Sequence, residues 1–463
     1  MNKKLLIITT ITIGSIYLYS NTNNNYGEWF IKEQNALNQR RNNIAQKYWD
    51  TYIIERQHDD YSGIKNILAT QSTLKTIPDN INLQFDTAIN TKNYTAFAEL
   101  FDTVNDFGLS VIDTEERLSI PFKYGNFYNC KSNPTINSTD IENLQQYIKD
   151  SNFSGIASIR HLDTIHTVSS SNDIDHSTPF SIHSISKVFT EILTVLFIQE
   201  GIIQEEWLKQ PLRISDATKK LLPHAVAEQL KKTTTEQIMT HRSGLGDYTV
   251  DYFNELAAKA TNGETITFIK KLDNFLQYAD DTIVTLKNDD TRYSNLGLLL
   301  LGLSIEHCYN TAMHNDKPLS FDEILHEYII KPAGMHIFTS QKPDNGCYNE
   351  SGSCSQYISA SPAGGHWTTA EDLQKFSIWL QKKYTNDTTF KQLLEKYGSE
   401  FYNSETGQAH HCGGIGQPGI GAASTRFALF LRHGISIVTL SNRSQQAHIM
   451  YKTIYHNILA DQN

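Results

Sequence analysis

A serine and a lysine, Ser184 and Lys187, stand three residues apart where a long apolar stretch begins. Residues three apart share one face of an α-helix, so their side chains are expected to lie one turn from each other. Residues 185–198 are apolar on almost every face and are followed by Gly201, which predicts a buried helix closed by a glycine. Apolar surroundings favour a neutral lysine that can take a proton from a serine. We therefore predict Ser184 as a nucleophile and Lys187 as its base.

A tyrosine and an asparagine, Tyr293 and Asn295, form a second candidate segment. A tyrosine keeps its proton at pH 7, so Tyr293 can act as a base only where a cation such as Lys187 stabilises its phenolate. The amide of Asn295 has a donor and an acceptor with which to hold Lys187 or a substrate amide. Each residue has a structural alternative, a core tyrosine and an ordinary turn residue.

These segments and a third one occur in an order that is typical of one superfamily. Ser184 to Lys187 fits S-x-x-K, Tyr293 to Asn295 fits Y-x-N, and residues 411–414, His-Cys-Gly-Gly, fit H-x-G. In this order, residues 140–460 resemble the serine β-lactamase and penicillin-binding protein superfamily, closest to the branch of class C β-lactamases, D,D-carboxypeptidases and related esterases. Segments 239–245 and 361–373 resemble scaffold signatures of that branch.

The resemblance implies acyl transfer through an acyl-enzyme on Ser184, with Lys187 and Tyr293 sharing the proton transfers. It also implies an oxyanion hole built from the backbone amides of Ser184 and Gly414. The residues expected to contact the substrate are Asn295, His411, Gly413 and Gly414. No cofactor and no metal are expected, and the predicted substrate is a D-alanyl peptide of the cell wall, a related amide or ester, or a β-lactam.

Two alternatives stay open, and the first follows from departures from the family pattern. His411 stands where many relatives have a lysine, and Cys412 stands where they have a hydroxyl residue that grips a substrate carboxylate. A thiol is a poorer hydrogen-bond donor, so these residues favour a carboxylesterase, which needs no free carboxylate. The other alternative is an inactive module that binds peptidoglycan or penicillin, since a fold can persist without turnover.

The sequence patterns of the helices and strands that must position these residues predict an α/β (α+β) domain. Residues 155–160 and 164–168 read as a strand pair, and residues 426–431 and 435–440 alternate like a β-hairpin before a last helix. We expect an antiparallel sheet flanked by helices, with an inserted all-helical subdomain between the Ser184 helix and the later strands. The site would then lie in a cleft between the two parts.

The sequence also predicts three regions. Residues 1–20 have a basic start and an apolar core, which predicts an export signal or an uncleaved membrane anchor and a periplasmic or extracellular protein. Residues 21–135 are predicted to form an N-terminal helical extension, with amphipathic helices near 37–53 and 97–107. Residues 136–463 form the serine hydrolase domain.

Composition limits the partners and the disulfides. The 463 residues carry a net charge of −10 without a large basic cluster, which argues against a nucleic-acid partner. Five cysteines allow at most two pairs, and Cys347 with Cys354 is the one that could close a loop; two free thiols are the alternative.

Overall fold

The structure is a computed structural model that describes residues 136–151, 153–248, 255, 272–286, 292–314, 317–341, 343, 346, 362–398, 401–404, 407–417, 421–443 and 446–459. The chain divides into two compact units, Met1–Arg117 with Tyr147–Asn152, and Leu118–Gln146 with Phe153–Asn463. Of the first unit, residues 147–151 are described. The predicted export signal, the N-terminal helices, the end of the extension at residue 135 and the pair Cys347 and Cys354 lie outside the described residues.

The second unit is built on an antiparallel sheet of six strands in the order β2-β1-β9-β8-β7-β6, beside a smaller sheet in the order β3-β5-β4. The strands are β1 Gly155–His161, β2 Thr164–Ser169, β3 Phe180–Ser181, β4 Phe338–Thr339, β5 Trp367–Thr368, β6 Tyr402–Asn403, β7 Gln408–Gln417, β8 Gly421–Phe430 and β9 Ile435–Ser441. Strand β1 pairs with β9 along its whole length, so the large sheet joins both ends of the domain.

Helices occupy most of the described chain between β2 and β6, and others precede β1 and follow β9. They are α1 Ser138–Asp150, α2 Ser186–Gln199, α3 Asp216–Lys219, α4 His224–Leu230, α5 Thr235–Met239, α6 Asn295–Met313, α7 Phe321–Leu325, α8 Ala370–Asn386, α9 Thr388–Tyr397 and α10 Gln446–Ile454. Short 3₁₀ turns at His183–Ile185, Glu205–Lys209 and Leu272–Tyr278 and π turns at His326–Ile330 and Tyr455–Leu459 complete the elements.

The two faces of the large sheet are covered by different helices. On one face, Arg160 of β1 donates from Nε to Ser377 of α8 and to Ser436 of β9, both at 3.1 Å. Thr439 lies three residues beyond Ser436 and therefore on the opposite face, where it donates to Ala447 O of α10 at 2.7 Å. Strand β9 is buried at every residue because both of its faces are covered.

The helix predicted after Ser184 is the most buried helix of the domain's core. All residues of α2 from Ser186 to Phe197 are buried, as its apolar sequence predicted. The helix ends at Gln199, and Gly201 adopts a left-handed conformation with φ 70° and donates its N–H to Ile198 O. This arrangement is the predicted glycine closure, which costs little because glycine has no Cβ.

The fold class predicted from the sequence is confirmed for the described residues: an antiparallel sheet flanked by helices. The predicted pair β1–β2 and the hairpin β8–β9 form with antiparallel register, and helix α10 follows the hairpin. Described elements from residue 202 to residue 330 are all helical or 3₁₀ and π turns. Within the described part of the chain, no helix is long and apolar enough to cross a membrane.

Candidate active site

Ser184 and Lys187 meet as the S-x-x-K spacing predicted. Ser184 lies in the 3₁₀ turn His183–Ile185, which runs directly into α2, and Lys187 lies in the first turn of α2. Lys187 Nζ donates to Ser184 Oγ at 3.1 Å. Lys187 is completely buried, so its amine contacts Ser184 inside the domain and is shielded from solvent.

Tyr293 contacts the same serine oxygen from the other part of the domain. Its hydroxyl donates to Ser184 Oγ at 2.9 Å, and Lys187 Nζ lies 4.8 Å from the centroid of its ring. Ser184 Oγ therefore lies within hydrogen-bond distance of an amine and of a phenol. Each of these groups has the reach needed to exchange a proton with the serine.

Two fixed oxygens hold the amine of Lys187. Asn295 Oδ1, at the start of α6, accepts from Lys187 Nζ at 2.7 Å, and the carbonyl of Ala363 accepts from it as well. A lysine ammonium has three N–H donors. With one directed at Asn295 and one at Ala363, the third is directed at Ser184 Oγ.

The loop after α5 supports the Tyr293 segment, a role that sequence analysis did not assign to it. His241 has a left-handed backbone with φ 54°, its carbonyl accepts from Arg292 N at 2.7 Å, and its Nδ1 accepts from Ser294 N at 3.2 Å. Its ring lies 4.4 Å from the ring of Tyr293. Burial, together with the nearby charge of Lys187, holds the pKa of His241 well below its usual value.

Asp247, in the same loop, was also missed. Its Oδ2 accepts from Asn295 Nδ2 at 2.9 Å and from Asn295 N at 3.4 Å. The only signal in the sequence was proximity to the 239–245 segment, which resembles a scaffold signature. Nothing in the sequence places this carboxylate beside an asparagine 48 residues later.

His411 lies on the side of β7 that faces Ser184. It pairs across the strands with Phe427, whose ring is 5.8 Å from that of Phe376 on α8. Its Nδ1 lies 2.6 Å from Cys412 O, and a carbonyl can only accept, so the ring donates there. Burial, reinforced by the charge of Lys187, lowers the pKa of His411 to about 3. The ring is therefore neutral at physiological pH.

Gly413 allows β7 to approach the nucleophile's turn. A Cβ on Gly413 would lie 2.7 Å from Ser184 N, 2.7 Å from His183 Cβ and 2.9 Å from Ile182 O. Two of these three atoms belong to the backbone, which cannot move aside as a flexible side chain would. Glycine is thus required here by close approach.

Gly414 N–H is directed away from β8. Leu431 N donates to Gly407 O, while His410 N donates to Phe401 O on the other side of β7. Hydrogen-bonding directions alternate along an antiparallel strand, so Gly414, four residues after His410, directs its N–H to the same edge as His410. The Ser184 turn itself lies over the face of β7 on which a Cβ of Gly413 would contact Ser184 N.

Cys412 lies on the opposite face of β7 from His411. Its cross-strand neighbour is Arg426, whose guanidinium stacks 4.8 Å from the ring of Tyr451 on α10. Cys412 stands in sequence where relatives have a residue that grips a carboxylate, whereas the register directs its side chain toward the α10 face. Among the described residues, no cluster of three or more His, Cys, Asp or Glu is arranged to hold a metal ion.

The chain matches the protein family described as Beta-lactamase over residues 145–461. Among solved structures, it is similar to a penicillin-binding protein from Bacillus halodurans, with 20% identity and a TM-score of 0.48. The match covers 70% of this chain and 99% of the Bacillus chain. It is also similar to a D-stereospecific amidohydrolase from Streptomyces sp., at 19% identity, TM-score 0.49, and 68% and 98% coverage. A class C β-lactamase from Rhodobacter sphaeroides matches at 14% identity, TM-score 0.44, and 69% and 99% coverage. No curated protein matches the chain.

Proposed function

The chain belongs to the Beta-lactamase family, and from that premise we propose that it is a serine hydrolase that forms an acyl-enzyme on Ser184. One observation carries the proposal: Ser184 Oγ lies 3.1 Å from Lys187 Nζ and 2.9 Å from the Tyr293 hydroxyl. A serine hydroxyl is a weak nucleophile unless a base takes its proton. Two candidate proton acceptors converge on this one oxygen.

The proposed reaction has two halves. Ser184 Oγ attacks a carbonyl carbon while its proton passes to the Lys187 and Tyr293 pair, and the amides of Ser184 and Gly414 stabilise the oxyanion. When the tetrahedral intermediate collapses, the same pair returns the proton to the leaving amine or alcohol. Water then attacks the acyl-enzyme, and Ser184 regains its proton as the acid product leaves.

For the substrate, we propose a D-alanyl peptide of the cell wall or a related amide or ester. The edge of β7 that carries Gly414 N–H supports an extended substrate, because a peptide can pair with an exposed strand edge through its main chain. Among the described residues, β6 pairs only with positions 408 and 409 of β7. His410 N donates to Phe401 O, so the substrate would lie along the residues of β7 after His410, beside Ser184.

A carboxylesterase is the second candidate, and His411 is the observation that favours it. A substrate with a free carboxylate is bound best where a cation faces it. His411 is fully buried and neutral at physiological pH, and its Nδ1–H is already directed at Cys412 O. A neutral ester has no carboxylate, so the lack of a cation at this position would not weaken its binding.

The test is the intact mass of the purified protein after incubation with a penicillin, with Ser184→Ala as control. We expect a mass increase equal to one penicillin on the wild type and none on the variant. Parallel assays would follow D-alanine release from a D-alanyl-D-alanine peptide and hydrolysis of a short-chain nitrophenyl ester. Ester hydrolysis without an adduct or D-alanine release would select the esterase, whereas no Ser184-dependent reaction in any assay would contradict the proposed function.

We also propose that the protein acts outside the cytoplasm, as the basic and apolar residues 1–20 suggest. Cell fractionation of the full chain with a C-terminal tag would test this. Tagged protein confined to the cytoplasmic fraction would contradict it.

A further inference from the structure

We propose that Asp247 is a positioning residue for the Ser184 reaction, because it fixes the side-chain amide of Asn295 so that Oδ1, and not Nδ2, faces Lys187. The inference rests on the proposed function and concerns how that site is kept in its reactive form. Asp247 does not contact Ser184 in the structure; it acts through Asn295.

The contacts define the orientation of the amide. Asn295 Nδ2 donates to Asp247 Oδ2 at 2.9 Å, and Asn295 Oδ1 accepts from Lys187 Nζ at 2.7 Å. A carboxylate accepts hydrogen bonds and cannot donate them. Rotating the amide by half a turn would therefore set Oδ1 against the carboxylate oxygen, two acceptors with no proton between them.

The rotated amide would also disable the base. Its Nδ2–H would face Lys187 and, once the ammonium gives up a proton to become the base, would donate to the lone pair of the amine. That lone pair is the one that must receive the proton of Ser184, which lies 3.1 Å from Nζ. Asp247 thus prevents a competing hydrogen bond from occupying the base, in addition to placing Asn295.

Asp247 is itself held in place by the backbone around it. Its Oδ1 accepts from Tyr248 N at 2.7 Å, and its carbonyl accepts from Asp280 N at 2.7 Å. Its Oδ2 also accepts from Asn295 N at 3.4 Å, so it contacts the backbone where α6 begins as well as the side chain. These bonds leave the carboxylate little freedom to follow a rotated amide.

The test is a double-mutant cycle of Asp247→Ala and Asn295→Ala, read as the rate of Ser184 acylation by a nitrophenyl ester or a penicillin. We expect Asp247→Ala to lower kcat about tenfold with KM nearly unchanged, the effect of one hydrogen bond worth about 1.4 kcal/mol. In the Asn295→Ala background, the same substitution should change the rate less than about twofold, because no amide remains to be positioned. Asp247→Asn, which keeps an acceptor for Nδ2 but also permits the rotated pair, should give an intermediate rate.

Asp280→Asn is the matched control. Asp280 lies beside Asp247, and its side chain accepts from Thr282 N at 2.8 Å and lies 3.9 Å from Arg292, without contact to Asn295. It should leave the acylation rate within about twofold of the wild type. Equal effects of Asp247→Ala in both backgrounds, or a wild-type rate in Asp247→Ala, would overturn the inference while the proposed function stands. A wild type that does not acylate at Ser184 at all would overturn both.

Discussion

At the scale of single residues, the reactive group is Ser184 and its environment is set by what contacts Lys187. The amine has three oxygen partners: Ser184 Oγ, Asn295 Oδ1 and Ala363 O. Two of the three are fixed by the scaffold, one on α6 and one on the segment before β5. Burial of the side chain adds a penalty for carrying a charge, and these contacts help to offset it. These contacts thus hold the amine of Lys187 facing Ser184 Oγ.

Replacing Lys187 with methionine should remove the base while keeping the buried volume. We expect the rate of Ser184 acylation to fall by about 10²–10⁴-fold, the usual contribution of a positioned general base. The free energy of unfolding should change little or rise, because a buried polar head is replaced by an apolar one. The acylation rate and a urea unfolding curve would check both statements.

The matched control is Lys375→Met on α8, a lysine whose Nζ pairs with Glu371 at 2.9 Å and Asp372 at 3.0 Å. It should leave acylation unchanged. Near-normal acylation in Lys187→Met would assign the proton transfer to Tyr293 alone.

At the scale of elements, the site depends on one loop, residues 240–248, which follows α5 and is hydrogen-bonded to the N-terminal end of α6. Helix α6 begins after Ser294, whose hydroxyl accepts from Gly297 N at 2.9 Å and donates to Gly246 O at 2.6 Å. His241 accepts from Ser294 N in the same place. The loop therefore sets the point at which α6 starts, and with it the positions of Tyr293 and Asn295 on either side of Ser294.

Substituting His241 tests this dependence. His241→Ala removes both the acceptor for Ser294 N and the ring beside Tyr293, and we expect a loss of about 2–4 kcal/mol in the free energy of unfolding. Acylation should fall about tenfold as Tyr293 loses its position. His241→Asn should recover part of both, since asparagine tolerates a left-handed backbone and its side-chain carbonyl can accept. Urea unfolding and acylation rates are the measurements.

His314→Ala is the control for the backbone conformation. His314 is also left-handed, with φ 49°, but it is exposed at the end of α6. Alanine there carries the same conformational cost without touching Tyr293. Equal losses of unfolding free energy and of acylation rate in His314→Ala and His241→Ala would contradict the role assigned to the contacts of His241 with the Tyr293 segment.

At the scale of the whole molecule, burial lowers the pKa of four histidines, which lie in the turn before α2, in the loop after α5 and on β7. They are His183, His241, His410 and His411. Burial lowers the pKa of His183 to about 4 and that of His411 to about 3, and it places those of His241 and His410 well below their usual value. Each ring is neutral in the folded protein at pH 7. Protonation at lower pH would place positive charge beside Lys187 or Arg426, so the fold opposes it.

This arrangement predicts acid sensitivity. A histidine whose folded pKa lies below its unfolded value of about 6.5 contributes its full stabilisation above that pH. The contribution is lost as the pH falls toward the folded pKa, by about 1.4 kcal/mol per pH unit for each ring, because the unfolded chain then binds the extra proton. We expect the free energy of unfolding to fall steeply from pH 6.5 to pH 4.

The measurement is urea unfolding at pH 7 and pH 5. His411→Gln, which removes one titrating ring, should lose about 2 kcal/mol less than the wild type between these two values. His224→Gln, at an exposed position, is the control and should keep the wild-type dependence. A pH dependence that is the same in all three proteins would contradict the role assigned to His411.

The sequence by itself determined the elements and the reactive pair, since both depend on short-range spacing. Ser184 and Lys187 share a helix face because they are three residues apart, and the hairpin β8–β9 follows from alternation within 20 residues. Close packing of Gly413 on the Ser184 turn is consistent with the glycine in H-x-G, but the sequence alone could not measure that distance.

Only the tertiary structure decided what orients the pair. Asp247 reaches Asn295, and His241 reaches Tyr293 and Ser294, across separations of about 50 residues that no local period encodes. The face of Cys412 depended on the register of β7 against β8, where a shift of one residue would exchange the two faces. Local spacing thus fixes which groups can react, whereas the long-range contacts of the fold fix the direction in which each of them points.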